Sequence, residues 1–324
     1  MRFAWEPSGN QVFAFRVQRI LEFFLLPMNK RFLLIPIPIA FIVYAWLLYP
    51  FSFLTARDAI GAENIATLND RQVAYYVSGQ GPRIVLAASL AREASDFNEL
   101  VQDLNRVGYR TVCVEAPGIG ATSEIEKPTS LYTIAGDINA AIDRDIKETG
   151  NTSTVALIGH AFGNRVMRAT AAKYPGIARS VILIAAGGQR PIAERAKTEL
   201  RNSILPYLPA ARRKQAIDYA FFADGNEIPA YWLRGWHLRT ALLQASTLEH
   251  TEDERWQDAG GLPILIVQAL EDTIAPKADT ADLLKARFGA RLDVFLVEKA
   301  GHALLPERPE IVSRAIIDYL GALK

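Results

Sequence analysis

The residues best placed to do chemistry surround a glycine-flanked turn, Gly159-His160-Ala161-Phe162-Gly163. An apolar run ending at Ile158 precedes the turn, and a segment with helical spacing follows it. This is the strand–turn–helix context of a nucleophile elbow. Glycines on both sides allow close packing and leave the tip residue exposed on a strained backbone. The tip is Ala161, which carries no nucleophile. The chain has four histidines (His160, His237, His250 and His302), and no two of them have metal-ligand spacing, so neither a metal site nor a cofactor is expected. The single cysteine, Cys113, excludes an internal disulfide and a cysteine-based metal cage. Its apolar neighbours point to a small buried side chain rather than a reactive thiolate.

The turn, together with two later loops, resembles the α/β-hydrolase superfamily over about residues 65–322. In that family the tip is usually serine, with aspartate or cysteine in some branches. The resemblance therefore places Ala161 at a substituted nucleophile position. The segment Val267-Gln268-Ala269-Leu270-Glu271-Asp272, followed by Pro276, is similar to the loop carrying the family's acid. It implies Asp272 in that role, with Glu271 the weaker candidate. Ala300-Gly301-His302, followed by Pro306 and Pro309, is similar to the loop of the catalytic histidine. The family's oxyanion hole uses two backbone N–H groups, which carry over to Phe162 and Leu90. The loop Ala88-Ser89-Leu90-Ala91-Arg92 replaces the usual His-Gly opening. Ser89 is expected near the pocket floor, and Arg92 at its mouth as a possible anion ligand. His160 matches a residue that packs and hydrogen-bonds before the nucleophile. His237, beside Trp236 in the insertion, is either a substrate contact or, more simply, a surface or core residue, and His250 has no supporting context.

Three readings of the alanine follow. In the first, Asp272 holds His302 as a general base, no covalent intermediate forms, and the two N–H groups stabilise developing negative charge. Cofactor-free members of the superfamily that do not depend on the serine make this chemistry possible. In the second, the protein is a catalytically silent binder used for recognition or signalling. In the third, it is a serine ester hydrolase whose serine at position 161 was replaced artificially.

The elements that must position these residues alternate between short apolar runs and helical segments, the signature of a mostly parallel sheet flanked by helices. Strands are expected over 72–78, 83–88, 111–115, 154–158, 180–185, 264–268 and 292–297. The first of these closes a hairpin after an Asn69-Asp70 turn. Helices are expected over 97–107, 130–147, 165–174, 278–288 and 310–323. The long insertion at about 187–261 has helical stretches at 194–204 and 212–222 and many aromatics. It reads as a helical cap over the carboxyl ends of the strands, where such sheets bind ligands. Trp232 and Trp236 are candidate contacts for a small apolar or aromatic substrate.

Half of the chain is hydrophobic, 22% is charged and the net charge is +1. That balance suits a sizeable core and makes nucleic acid an unexpected partner. The domains are expected at 1–60 and 61–324. Residues 32–54 contain no charge, a run of about 23 residues that is long enough to span a bilayer core of roughly 30 Å. Arg2, Arg16, Arg19, Lys30 and Arg31 precede the run, whereas only Arg57 follows closely. The positive-inside rule then leaves the amino end cytoplasmic and places the large domain on the periplasmic or extracellular side. The long leading segment and the missing small-x-small pattern favour a signal anchor over a cleaved signal peptide. Oligomeric state is not legible.

Overall fold

The computed structural model describes residues 56–187 and 190–323. The expected membrane span at 32–54 lies outside these. Among the described residues no helix is long and apolar enough to cross a membrane.

Eight strands form one sheet: β1 (Ala62–Leu68), β2 (Arg71–Gly79), β3 (Arg83–Ala87), β4 (Arg110–Val114), β5 (Val155–His160), β6 (Ala178–Ile184), β7 (Ile264–Ala269) and β8 (Leu292–Val297). Their order is β1-β2-β4-β3-β5-β6-β7-β8. β1 and β2 form an antiparallel hairpin in the register Leu68↔Arg71, with Asn69 at φ 52 in the connecting turn. An asparagine tolerates this left-handed conformation, which is why the turn was readable. β2 also pairs antiparallel with β4, while the strands from β4 through β8 run parallel.

The central strands β3, β5 and β7 are buried along their whole length because both faces are covered, whereas the edge strand β8 exposes Asp293, Phe295 and Leu296. Val85, Val112, Leu157 and Leu183 face one core layer, where they meet Ile134, Ile138, Val166 and Met167. Ile84, Leu86, Cys113 and Ile158 face the other, against Phe97, Leu100, Leu104 and Ile316. Those layers come from helices α1 (Asn98–Arg106), α2 (Leu131–Thr149), α3 (Phe162–Lys173) and, late in the chain, α9 (Pro309–Ala322). Between them in sequence lie α4 (Glu194–Ile204), α5 (Ala210–Phe221), α6 (Leu238–Thr247), α7 (Ala281–Phe288) and the single turn α8 (Leu304–Glu307).

Three helices differ from the sequence reading. Neither α6 nor the single turn α8 was anticipated. The expected helix at 278–288 is divided into a 3₁₀ turn, Lys277–Asp279, and α7. Thr280 separates them with φ −134 and ψ −84, and its hydroxyl donates to Pro276 O, four residues back, at 2.9 Å. A side-chain bond of this kind competes with the helix ladder.

The insertion at 187–261 also divides. Its larger part, through α6, forms a separate apolar cluster that includes Ile217, Phe221, Phe222, Trp232 and Trp236. Its last part, the 3₁₀ segment Glu254–Gly261, returns to the sheet body instead. Trp256 and Ala259 there join the core layer containing Val166.

Candidate active site

α3 begins immediately after β5, so the elbow is a single residue wide. Ala161 has φ 46 and ψ −108, a conformation costly for any residue with a β-carbon. Its N–H donates to Ile184 O at 2.9 Å, and its carbonyl accepts Asn164 N–H at 3.2 Å. A side chain at Gly163 would overlap Ala87 O, so glycine is what lets α3 start against the end of β3. The N–H of Phe162, the first residue of α3, and that of Leu90 find no acceptor among the described residues.

His302 follows β8, and Asp272 follows β7. Their side chains meet at 2.8 Å, Nδ1 to Oδ2, and both residues are buried. Asp272 Oδ1 accepts Ile274 N–H at 2.9 Å and Ala275 N–H at 2.7 Å, so the carboxylate cannot rotate away from the imidazole. Glu271 is exposed and stands apart from this pair. The His302 backbone is held separately. Its carbonyl accepts His160 Nε2–H at 2.9 Å, and Gly301 N–H donates to Glu307 Oε2 at 2.7 Å. Burial, then the neighbouring His302, pulls the His160 imidazole down to about 4, so its ring is neutral. A carbonyl partner requires the proton on Nε2.

The cap meets these loops through aromatic rings and main-chain bonds. The Phe221 ring lies 5.8 Å from the His302 ring and 5.1 Å from that of Trp236. Ala303 N–H donates to Phe221 O at 2.7 Å. On the opposite side, Ala91 N–H donates to Gln244 Oε1 at 2.7 Å, and His237 N–H to Ala91 O at 3.0 Å. His237 Nε2 also meets Glu93 Oε1 at 2.7 Å.

Arg92 departs from its expected place at a mouth. It is fully buried and forks onto Asp96 at 2.6 and 2.8 Å. It also donates to the carbonyls of Arg234 and Gly235. The guanidinium lies 4.6 Å from the Trp232 ring and 4.7 Å from the Trp236 ring. Four of its five N–H donors are committed to a carboxylate and two carbonyls, and the charge is already paired and buried under two rings, so it is no open anion ligand. The same packing accounts for the tryptophans. Trp232 has no exposed surface, and Trp236 Nε1 is committed to Trp232 O at 2.7 Å, so they build the cap core. Ser89 is buried in the loop after β3, with its carbonyl accepting Arg92 N–H at 3.1 Å.

Several contributors escaped the sequence reading. Glu115 lies beside Glu93, and burial, then Glu93, raises its carboxyl to about 8. Ala56 N–H donates to Glu93 Oε2 at 2.8 Å, and Arg57 forks onto Glu99 at 2.6 Å while covering the Tyr231 ring at 3.8 Å. The residues just after the apolar run are thereby tied to the loop bearing Leu90. Asn164 and Arg168 lie below the elbow, fully buried, with Arg168 Nη2 donating to Asn164 Oδ1 at 2.9 Å. Polar residues four apart on a helix opening from a buried strand were the available signal.

With this geometry in place, comparison with known proteins is direct. The profile of the alpha/beta hydrolase family matches residues 78–315, and the chain belongs to that family. Membership supports a hydrolase-class enzyme. A pyrrolizixenacetamide deacetylase from Xenorhabdus hominickii is 27% identical over 163 residues, covering 50% of this chain and 59% of that protein. An uncharacterized protein of Mycobacterium tuberculosis is 25% identical over 122 residues, covering 38% of this chain and 34% of the relative. The chain thus spans less than two thirds of the curated relatives it matches.

Among solved structures, a membrane phospholipase A described as a bacterial virulence factor superposes with a TM-score of 0.62 at 17% identity, covering 97% of this chain and 99% of that one. A thermophilic esterase from Thermogutta terrifontis gives 0.64 at 19%, covering 81% and 99%. The E-2-(acetamidomethylene)succinate hydrolase gives 0.63 at 20%, again covering 81% and 99%. At these identities the likeness shows the fold alone.

Proposed function

We propose that the chain is an enzyme in which His302, oriented by Asp272, acts as a general base on a small apolar or aromatic substrate without a covalent intermediate. The 2.8 Å contact between His302 Nδ1 and Asp272 Oδ2 carries this reading. It fixes the tautomer with the proton on Nδ1 and leaves Nε2 basic. In hydrolysis, Nε2 takes a proton from water as the water oxygen bonds to the substrate carbonyl carbon. Negative charge then collects on the carbonyl oxygen, where the N–H groups of Phe162 and Leu90 are the proposed donors. Collapse breaks the bond to the leaving group, which takes the proton back from His302. On an acidic carbon substrate the same base removes a C–H proton and the same donors stabilise the enolate.

The test compares the chain as it stands with Ala161→Ser and His302→Ala on a panel of esters and acidic carbon substrates. Turnover that His302→Ala leaves unchanged would sink the base mechanism. A ligand retained through purification, with no turnover in any form, would favour the silent binder. The aromatic cap reaching His302 through Phe221 supports that second reading.

We also infer attachment to a membrane through residues 32–54, with the folded domain on the non-cytoplasmic side. The apolar run and its basic leading flank support this. Alkaline extraction of membranes and protease protection of spheroplasts test it; release by alkali would overturn the anchor.

A further inference from the structure

The residues below the elbow form a chain of contacts that the base mechanism does not use. Arg168 is fully buried and meets no carboxylate among the described residues, and its Nε and Nη1 find no partner there. Its ring neighbour is Trp256, at 4.6 Å, and its one hydrogen-bond acceptor is Asn164 Oδ1. A buried cation without a counter-charge is expensive to keep. Asn164 is also fully buried, and its Nδ2 donates to the carbonyl of Ala161.

The direction of that amide follows from Arg168. An arginine has only donors, so the asparagine oxygen must face it and the asparagine NH₂ must face Ala161 O. Two donors, Asn164 N–H and Nδ2–H, then clamp the Ala161 carbonyl from the helix side. The peptide unit joining Ala161 to Phe162 is planar and trans, so its N–H points opposite to its C=O. Clamping one end of the unit fixes the aim of the other.

We propose that Asn164 and Arg168 are positioning residues that aim the Phe162 N–H at the oxyanion. This rests on the reading of Phe162 as an oxyanion donor. Arg168 sets the polarity of the Asn164 amide, and Asn164 holds the strained peptide against rotation. The same pair explains how an elbow with φ 46 at a non-glycine residue stays in one conformation.

The test uses Ala161→Ser as the parent, with a fluorophosphonate as the probe. The introduced hydroxyl attacks phosphorus, fluoride leaves, the hydroxyl proton passes to His302, and the phosphoryl oxygen occupies the hole. Asn164→Asp is then added. Its carboxylate still accepts from Arg168, and now neutralises it, but offers no donor to Ala161 O. The expected result is a limiting phosphonylation rate lower by about 10²-fold, the size of a misaimed or lost oxyanion donor. Reversible affinity for the probe and the thermal midpoint should be unchanged or improved. A role confined to stability would give the reverse pattern. An undiminished rate in Asn164→Asp overturns the proposal. If that variant does not fold, Asn164→Gly decides by the same rate criterion. A parent that does not react removes Phe162 as a donor, and the relay with it.

Discussion

His160 donates its Nε2–H to the main-chain carbonyl of His302 at 2.9 Å, so the residue before the elbow tip supports the loop bearing His302. The two rings lie 5.8 Å apart and tilted, close enough for charge on either to oppose charge on the other. A neutral His160 is thus a condition of the arrangement.

That condition has a pH signature when combined with Glu115. His160 has a folded value of about 4, below its ordinary 6.5, so its contribution to stability is lost as pH falls from 6.5 through 4. Glu115 is opposite in sign. Its folded value of about 8 lies above the ordinary 4.5, so its contribution is complete below 4.5 and is lost as pH rises through 8. Between 4.5 and 6.5 the two slopes oppose each other. From 6.5 to 8 Glu115 dominates, and unfolding free energy should fall by about 1–2 kcal/mol. Urea titrations across this range check it. In Glu115→Gln the fall above 6.5 should vanish, exposing a rise from 4 to 6.5.

The strain at Ala161 gives a second expectation. Ala161→Gly should stabilise the fold by about 1 kcal/mol, because relief at φ 46, ψ −108 exceeds the entropy glycine adds to the unfolded chain. Thermal and urea midpoints measure this. A destabilised glycine variant would mean the neighbouring bonds already absorb the strain.

Removing the carboxylate partner of His302 gives a third. Asp272→Asn should reduce any base-dependent turnover by at least about 10²-fold, since the imidazole loses its tautomer control. His302→Ala should fall at least as far. The pair should be non-additive, with the double variant no slower than His302→Ala alone. Single-turnover kinetics on the best substrate of the panel distinguish these outcomes.

A fourth concerns Arg92. Arg92→Leu leaves Asp96 buried and unpaired and should cost about 3–5 kcal/mol. Adding Asp96→Asn should recover part of that loss. If Arg92 bound an anion instead, its removal would abolish ligand affinity while sparing stability; calorimetry of both variants separates the two.

Much of the fold was legible because its signals are local. Buried parallel strands read as apolar runs, and Asn69-Asp70 marked its hairpin. The segment 194–204 was placed as α4. α6 was missed because its buried face carries Thr240, Gln244 and Thr247 while Leu242 is exposed, so no apolar stripe marks it. Asp272 and His302 stood out through loop motifs, and the structure brings their side chains together. Arg92 and Trp232 could not be placed from sequence. A charged residue in a loop looks solvated until two distant rings and a carboxylate close over it, and that closure joins residue 92 to 232, 234 and 236. Asn164 and Arg168 showed only as polar residues four apart on a helix, and their meaning depends on which way one amide faces.

The bonds between the cap and the site loops have a consequence for motion. Ala91 is held through both its N–H and its C=O by cap residues, and Ala303 N–H is held by Phe221 O. One set flanks the Leu90 loop and the other flanks His302. Swinging the cap away as a rigid flap would break both at once and expose Arg92, Asp96 and Glu93 to water. The amide protons of Ala91 and Ala303 should therefore exchange with solvent as slowly as those of β5, as one cooperative unit. A ligand bound at His302 as proposed is then expected to enter beside the cap through side-chain rearrangement, with the main-chain bonds left in place.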